Sequence, residues 1–445
     1  MQRSDFGDQF YWGVSTAAYQ IEGAHATDGK GSSIWDEFVR KKGKIYQGQH
    51  ADLSTDYYHR YHQDLLLMKM MHIPNYRFSL SWSRLFPNGT GTVNKKGVDF
   101  YNRVIDLCLE LGIEPWITCY HWDLPAALQA KGGWTNRSIL GWFEDYVSFC
   151  IQTFGDRVRH WMILNEPLVF CGAGYFLGLH APGEKKFNSF LAAAHHATLC
   201  QASAARVAKS LNSQLQVGTT FSCAHVEPRT HRSRDREAAV KIDAVLNRLF
   251  IEPVLGLGYP VKDLSFLRRM EAYMHAGDEA QMAFEMDFIG IQPYTREIAR
   301  YDLFTPFLQA NIVKATKRQV PLTAMHWEVY PPAIYHLLKK FSNYPNMPPI
   351  MVTENGAAFE DVLEDGQVGD KLRRQYLENH IAEVLKAKAE GVNVQGYFVW
   401  SFTDNFEWAE GYRPRFGIVH VDFTTQKRTV KQSGQWYASF LQSCR

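Results

Sequence analysis

The feature that most constrains this chain is a pattern that recurs eight times along it. Each unit is a short apolar run rich in β-forming residues, then a turn, then a longer amphipathic stretch. The longer stretches predict helices; those at 98–111 and Lys371–Ala389 run up to Gly112 and Gly391, residues typical of helix C-termini. The predicted strands are residues 10–15, 76–81, 114–121, 161–165, 216–221, 288–293, 350–353 and 394–400.

Eight strand-then-helix units without a linker predict a closed parallel (β/α)8 barrel, the TIM barrel. The chain has 445 residues, which is enough for about three average domains or for one large barrel. No Gly/Ser linker or low-complexity tract divides it, so we expect residues 1–445 to form a single domain. The rival fold is a doubly wound open sheet, but its usual G-x-G-x-x-G turn is absent.

Composition excludes several classes of protein. Hydrophobic residues make up 46% of the chain and charged residues 21%, which is enough for a sizeable core and excludes general disorder. The formal net charge is only +2, which argues against nucleic-acid and membrane-surface partners. The N-terminus resembles no signal peptide and no apolar run is long enough to span a membrane, so we expect a cytoplasmic protein. The seven cysteines, including Cys444 in the tail, are expected to be reduced thiols.

Polar residues at the ends of the predicted strands indicate where chemistry takes place, because barrel enzymes work at the carboxyl ends of their strands. Glu166 and Glu354 each end an apolar strand, and each has an asparagine beside it, Asn165 and Asn355. Two carboxylates that face one cavity can divide into an acid and a nucleophile or base. A neighbouring cation such as Arg77, or a tyrosine hydroxyl, would hold one of them ionised.

Other residues at these strand ends suit a sugar, since amides and imidazoles bind hydroxyls and indole rings cover C–H faces. Taken singly, His121 is better explained as a hydrogen-bonded core histidine, and Trp327 can also be interpreted as a core tryptophan.

Two further patterns are weak. His59 and His62 have the spacing of half a metal site, but no third ligand stands out and we expect a solvated helix face. The basic stretch 229–236 has no interleaved aromatic residues and is expected to be a solvated loop.

Taken together, the motifs make the chain resemble glycoside hydrolase family 1, the β-glucosidase family, over essentially its full length. The motifs that carry the resemblance are residues 10–23, 76–84, 120–125, 165–167, 352–356 and 400–412.

The resemblance implies a role for each matching residue. Glu354 would be the nucleophile and Glu166 the acid/base, while Arg77 and Tyr294 would orient Glu354 and keep it charged. Asn165 would bind the 2-hydroxyl of the sugar.

The same resemblance implies a sugar site built from strand-end residues. Gln20, His121 and Trp408 would bind near the 3-hydroxyl, and Gln20 with Glu407 would bind the 4-hydroxyl. Trp400 would form the floor under the ring. Two further aromatic residues complete the implied site. Trp327 would be the platform for the leaving group, and Phe416 would lie near C6 of the sugar.

The chain departs from the family pattern at a few positions. Ile163 stands where a threonine is usual, Leu168 where many members have tryptophan, and Gln292-Pro293 precede Tyr294 in place of the usual residues. These changes put rate and aglycone preference in question more than reaction type.

The expected activity is that of a retaining β-glycosidase, above all a β-glucosidase, with fucosyl and galactosyl residues as further substrates. Neither a metal nor an organic cofactor is expected, and the partner is a β-glycoside. A transglycosidase is the alternative. A non-catalytic sugar-binding relative is disfavoured because both Glu166 and Glu354 are retained. The sequence does not rank the sugars or define the oligomeric state.

Overall fold

The computed structural model describes residues 1–443, and its centre is a closed barrel of eight parallel strands. Each strand pairs with the next one along the chain, and the eighth pairs with the first, so the predicted TIM barrel is confirmed. The strands are β1 Tyr11–Ser15, β2 Asn75–Ser79, β3 Glu114–Tyr120, β4 His160–Asn165, β5 Gln216–Pro228, β6 Phe288–Tyr301, β7 Ile350–Asn355 and β8 Val394–Trp400.

Helices surround the barrel and follow its strands. The longer ones are Tyr57–Met70, Lys95–Glu110, Ile139–Phe154, Phe187–Leu211, Ser233–Asp243, Pro332–Ser342, Lys371–Ala389 and Gln432–Gln442. Short α-helices lie at Ala18–Ile21, Ile34–Phe38, Trp82–Leu85, Ala126–Gln129, Pro167–Cys171, Ile251–Val254 and Asp278–Met282. Each predicted helix is present, with ends shifted by a few residues.

An apolar layer closes the amino end of the barrel. Its members are buried side chains from five different strands: Trp116, Met162, Phe288, Met351 and Phe398. Two glycines make room for it, because a Cβ on Gly13 would lie 2.5 Å from the Phe398 ring and one on Gly218 would lie 2.5 Å from the Phe288 ring. The open end of the barrel is therefore the carboxyl end, where the candidate residues lie.

Strands β5 and β6 are much longer than the sequence predicts. Their pairing continues past the barrel to Pro228 and Ala299, and a short strand, Ala310–Ile312, pairs antiparallel with the end of β6. The extension is polar and only partly buried, so it lacks the continuous apolar run that marks a strand inside a barrel. The two strands therefore rise beyond the carboxyl face.

Small strands pair locally outside the barrel, Leu363–Glu364 with Gln367–Val368 and Val419–Val421 with Arg428–Val430. Within residues 1–443, no helix combines the length and apolar character that crossing a bilayer requires. The six cysteines of this part of the chain are buried free thiols, and Cys444 lies outside the described residues.

Candidate active site

A one-residue bulge in β4 sets the geometry of the first catalytic candidate. Met162 pairs with Gly218 but Asn165 pairs with Thr220, so β4 has one residue more than β5 over this stretch. As a result Met162 and Asn165 both reach Arg77 inside the barrel.

Glu166 follows directly, with a left-handed backbone (φ 47°, ψ 65°) that begins the helix Pro167–Cys171. Its backbone N–H donates to the carbonyl of Thr220 at 2.9 Å, which ties the turn to β5.

The second candidate, Glu354 on β7, has both carboxyl oxygens engaged. Arg77 Nη1 donates to Glu354 Oε1 at 2.5 Å, and the Tyr294 hydroxyl donates to Oε2 at 2.7 Å. Arg77 is fully buried and Glu354 is 4% exposed. The carboxylate is thus held in one orientation by donors from β2 and β6.

Burial raises the pKa of both carboxyls, but their neighbours differ. At Glu354 the rise is opposed by Arg77, Tyr294 and Gln292, which all favour the charged form. At Glu166, burial and the negative charge of Glu354 both raise the pKa. A hydrogen bond from Ser222 and the charge of Arg77 oppose this rise. The pKa of Glu166 therefore lies well above its ordinary value. The proton of the pair therefore belongs on Glu166.

Three donors fix the side-chain amide of Asn165. Its Oδ1 accepts hydrogen bonds from Arg77 at 2.6 Å, Gln292 at 2.8 Å and the Thr220 hydroxyl at 3.0 Å. Its NH2 group is consequently turned towards His121, 3.1 Å from Nε2.

His121 is neutral, because burial and the nearby Arg77 charge lower its pKa well below the ordinary value. With Nε2 accepting from Asn165, its proton lies on Nδ1. That atom is buried and has no partner among residues 1–443, so it is free to donate to a ligand.

Gln20 and Glu407 form a second polar pair in the candidate site. Gln20 Nε2 donates to Glu407 Oε2 at 3.2 Å and to the Phe406 carbonyl at 3.0 Å, while its buried Oε1 has no partner in the described part of the chain. Burial and the charge of Glu354 raise the pKa of Glu407 to about 8, and the Gln20 hydrogen bond opposes this. Two hydrogen-bonding groups are thus available to a ligand hydroxyl.

Aromatic rings enclose this polar set. The His121 ring lies 5.9 Å from that of Trp400 and 6.0 Å from that of Trp408. Trp408 packs in turn against Trp122 at 4.5 Å and Trp35 at 4.6 Å. Trp35 was missed by the sequence reasoning because it lies far from any strand end, in the helix Ile34–Phe38.

Three further predicted residues meet at the mouth of the site. The Trp327 ring lies 5.4 Å from that of Tyr294 and 6.1 Å from that of Phe416. Trp327 is half-buried and packs against a hydrophobic cluster that includes Trp400 and Phe416, and Phe416 is 1% exposed.

The residue after Trp327 holds this loop in place. Glu328 is 2% exposed and accepts from Arg296 at 2.5 and 3.0 Å and from Arg318 at 2.6 Å. The sequence does not reveal this residue, because no motif links Glu328 to either of its arginine partners.

Two of the positions that depart from the family pattern, Ile163 and Gln292, have structural roles. Ile163 packs into the hydrophobic core outside the barrel, and the hydroxyl that reaches Glu166 comes from Ser222 on β5. Gln292 supports Asn165.

The weak metal pattern does not assemble. His59 hydrogen-bonds Asp56 at 2.6 Å on an exposed helix face, and no three His, Cys, Asp or Glu side chains of residues 1–443 are grouped to hold a metal ion.

A TIM barrel with two buried carboxyls at the ends of β4 and β7, set among amides and tryptophans, defines a glycoside hydrolase of the two-carboxylate type. The sequence model of glycosyl hydrolase family 1 matches residues 2–444, and the chain belongs to this family.

Known proteins agree over the whole chain. A β-glucosidase A of Thermotoga maritima is 43% identical over 445 residues, which cover 100% of this chain and 99% of the relative. A 1,4-β-D-glucan glucohydrolase of Thermotoga neapolitana is 42% identical, covering 98% of each chain. The solved family 1 β-glucosidase from T. maritima superimposes with a TM-score of 0.95 at 42% identity, covering 98% of each chain, and that enzyme has also been solved in complex with deoxynojirimycin.

Proposed function

We propose that this protein is a retaining β-glucosidase that releases terminal β-D-glucosyl residues from non-reducing ends, with residues 1–445 acting as one catalytic domain. The observation that carries the proposal is the contrast between the two carboxyls. Glu354 is oriented by Arg77 and Tyr294, while the surroundings of Glu166 favour its protonated form. The names of the relatives and the complex with a sugar-like inhibitor support the same activity.

In the first step, a carboxylate oxygen of Glu354 attacks the anomeric carbon. The bond from that carbon to the leaving oxygen breaks, and Glu166 gives its proton to this oxygen. The product is a covalent glucosyl-enzyme together with the free aglycone. Tyr294 and Arg77 hold the attacking carboxylate in the required orientation.

In the second step, Glu166 acts as a base. Formation of the ester removes the negative charge of Glu354, which is one of the causes that raise the pKa of Glu166. The pKa of Glu166 then falls, and its carboxylate takes a proton from the water that attacks the anomeric carbon. Glucose leaves, and both carboxyls return to their starting states.

The glycone is held by the groups that have spare hydrogen-bonding capacity. Asn165 donates to the 2-hydroxyl, His121 Nδ1 donates near the 3-hydroxyl, and Gln20 Oε1 with Glu407 binds the 4-hydroxyl. Two indole rings complete the site, Trp400 under the sugar and Trp408 beside it. Trp327 and Phe416 flank the leaving group and C6.

The test is mass spectrometry after incubation with a 2-deoxy-2-fluoro-β-glucoside that has a good leaving group. The fluorine slows both steps and the leaving group restores the first, so the intermediate accumulates. We expect an adduct on the peptide that contains Glu354 in the wild type and in Glu166→Ala, and none in Glu354→Gln. An adduct on another peptide contradicts the assignment of the nucleophile; no adduct together with no turnover of aryl β-glucosides contradicts the function.

The compartment expected from the sequence remains part of this proposal. The free thiols of the six described cysteines support a reducing, cytoplasmic location.

A further inference from the structure

An exposed apolar loop lies at the tip of the β6 extension. Residues 302–309 connect β6 to the strand Ala310–Ile312, and the loop is closed by a hydrogen bond from Asp302 N–H to the Gln309 carbonyl at 3.1 Å. Leu303 is 61% exposed, Phe304 is 90% exposed and Phe307 is 59% exposed. We call these three side chains the apolar tip.

A second apolar loop lies against this tip. Phe187 connects the two, since its ring is 5.7 Å from that of Phe307 and 5.8 Å from that of Phe176. Phe176, Leu177 and Leu179 are 43%, 50% and 58% exposed. The two loops therefore form one contiguous apolar surface, of the kind that marks an interaction site rather than scattered surface residues.

Arginines flank the apolar tip. A surface pocket of about 870 Å³ is lined by Arg229, Arg232, Arg234 and Arg300 together with Tyr301, the residue that precedes the apolar loop. The Arg234 guanidinium lies 5.3 Å from the centre of the Tyr301 ring. We call this the arginine pocket.

The arginine pocket contains one carboxylate against four arginines. Its one acidic member, Asp235, is occupied by the Thr230 hydroxyl and the Tyr301 N–H. Among the described residues, Arg229, Arg232 and Arg234 form no ion pair, and Arg300 lies 3.8 Å from Asp302. The guanidinium groups of Arg229, Arg232 and Arg234 are therefore available for an external anion.

We propose that the apolar tip and the arginine pocket together form a docking surface for a bilayer that contains anionic phospholipids. The exposed phenylalanines and leucine enter the boundary between headgroups and acyl chains, and the arginines bind lipid phosphates. A two-fold interface centred on the arginine pocket would place one pocket against another, which disfavours a second copy of the chain there.

This surface lies on the same side of the barrel as the candidate active site. It is carried by the β5 and β6 extensions, which rise from the carboxyl face of the barrel. Tyr301 is seven residues beyond Tyr294, or about 23 Å along an extended strand at ~3.3 Å per residue. Docking therefore turns the mouth of the site towards the bilayer. The whole-chain charge of +2 conceals the patch, because its arginines are balanced by acids elsewhere.

The test is co-sedimentation of the full chain with large unilamellar vesicles of phosphatidylcholine alone and of phosphatidylcholine with 30% phosphatidylserine. We expect binding to the anionic vesicles at 0.1 M NaCl, and at least a fivefold lower bound fraction at 0.5 M NaCl or without phosphatidylserine. Phe304→Ser/Phe307→Ser and Arg229→Gln/Arg232→Gln should each lower it at least fivefold.

Matched controls come from the opposite face of the barrel. Met70 is 74% exposed at the C-terminal end of the helix Tyr57–Met70, so Met70→Ser is the apolar control. Lys69→Gln/Arg159→Gln is the charge control, since both residues are exposed near the amino ends of the strands. All variants should keep the wild-type rate on a soluble aryl β-glucoside, which shows that they are folded.

Several outcomes overturn the proposal. No binding to anionic vesicles does so, as does equal binding with and without phosphatidylserine, or an equal loss in the controls. Light scattering tests the oligomeric state. If the wild type is a dimer, and if Phe304→Ser/Phe307→Ser dissociates it without changing vesicle binding, the surface binds a second copy of the chain instead. Because the readout is binding, a failure here leaves the proposed activity unaffected.

Discussion

The Tyr294 hydroxyl and the Glu354 carboxylate are joined by a 2.7 Å hydrogen bond that crosses from β6 to β7. Since the hydroxyl donates to the charged form, it lowers the pKa of Glu354 against the effect of burial. The orientation of the Glu354 carboxylate and its charge therefore both depend on the hydrogen bond from Tyr294.

Tyr294→Phe removes this donor. We expect kcat/KM for an aryl β-glucoside to fall by about ten- to a hundredfold, because a hydrogen bond to a charged group contributes ~1.5–3 kcal/mol. The acidic limb of the kcat/KM–pH profile should also move to higher pH, since the pKa of Glu354 rises. Tyr335→Phe, which removes a tyrosine–carboxylate bond to Glu390 on the surface, is the control. An unmoved acidic limb would rule out a role for Tyr294 in holding Glu354 ionised.

Glu166→Gln separates the two steps of the reaction. Glu166 must be protonated to act as an acid, so in the wild type kcat/KM falls as the pH rises above its raised pKa. With a substrate whose leaving group needs no proton, the variant should lose this alkaline limb. Its kcat should fall by about 10²–10⁴-fold, because the base for the second step is missing. Steady-state and burst kinetics over pH check this, and an alkaline limb that persists in the variant would assign it to another group.

Glu328→Gln should act on the leaving-group side. It leaves Arg296 and Arg318 without their shared carboxylate, so the loop that carries Trp327 loosens. We expect KM for an aryl β-glucoside to rise severalfold while KM for methyl β-glucoside changes little. Glu390→Gln, which breaks an exposed pair with Lys339, is the control. Equal changes for both substrates would place the effect on the glycone site instead.

Lys431→Met tests a buried charge network behind the site. Lys431 is fully buried and pairs with Asp361 and Asp404. Removing one partner of a buried pair leaves uncompensated charge, and we expect a loss of about 3–5 kcal/mol in the free energy of unfolding at pH 7. Urea denaturation measures it.

The same variant should flatten the acid dependence of stability. Lys431, Arg415 and Arg373 hold the pKa of Asp404 below its ordinary value of 3.8. A depressed folded-state pKa stabilises the protein above the unfolded-state pKa, and this contribution is lost as the pH falls through the folded-state value. In Lys431→Met the stability difference from wild type should therefore shrink as the solution is acidified below pH 4. A constant difference would contradict the coupling of Lys431 to Asp404.

The sequence located the eight barrel strands and the two carboxyls because each strand is a buried apolar run that ends in a polar residue. It could not show which distant groups meet: Arg77 and Glu354 are 277 residues apart, and only closure of the barrel brings them together. Glu328 and Trp35 escaped notice for the same reason. The prediction of a solvated loop for residues 229–236 is wrong from Ser233 onward, where the helix Ser233–Asp243 begins, because the polar first turn of that helix shows no apolar periodicity. The sequence also does not reveal that Phe304 is 90% exposed.

The bulge in β4 also bears on how this site tolerates change. The one extra residue between Met162 and Asn165 decides that Asn165 faces inward, where Arg77, Gln292 and Thr220 meet it. In a regular strand of the same length, alternation would place Asn165, three residues after Met162, on the opposite face and turn that amide away from its partners, although every functional side chain would still be present. The site thus depends on the local geometry of the strand as well as on residue type, and β4 should accept substitutions at Ile163 more readily than a change that straightens the bulge.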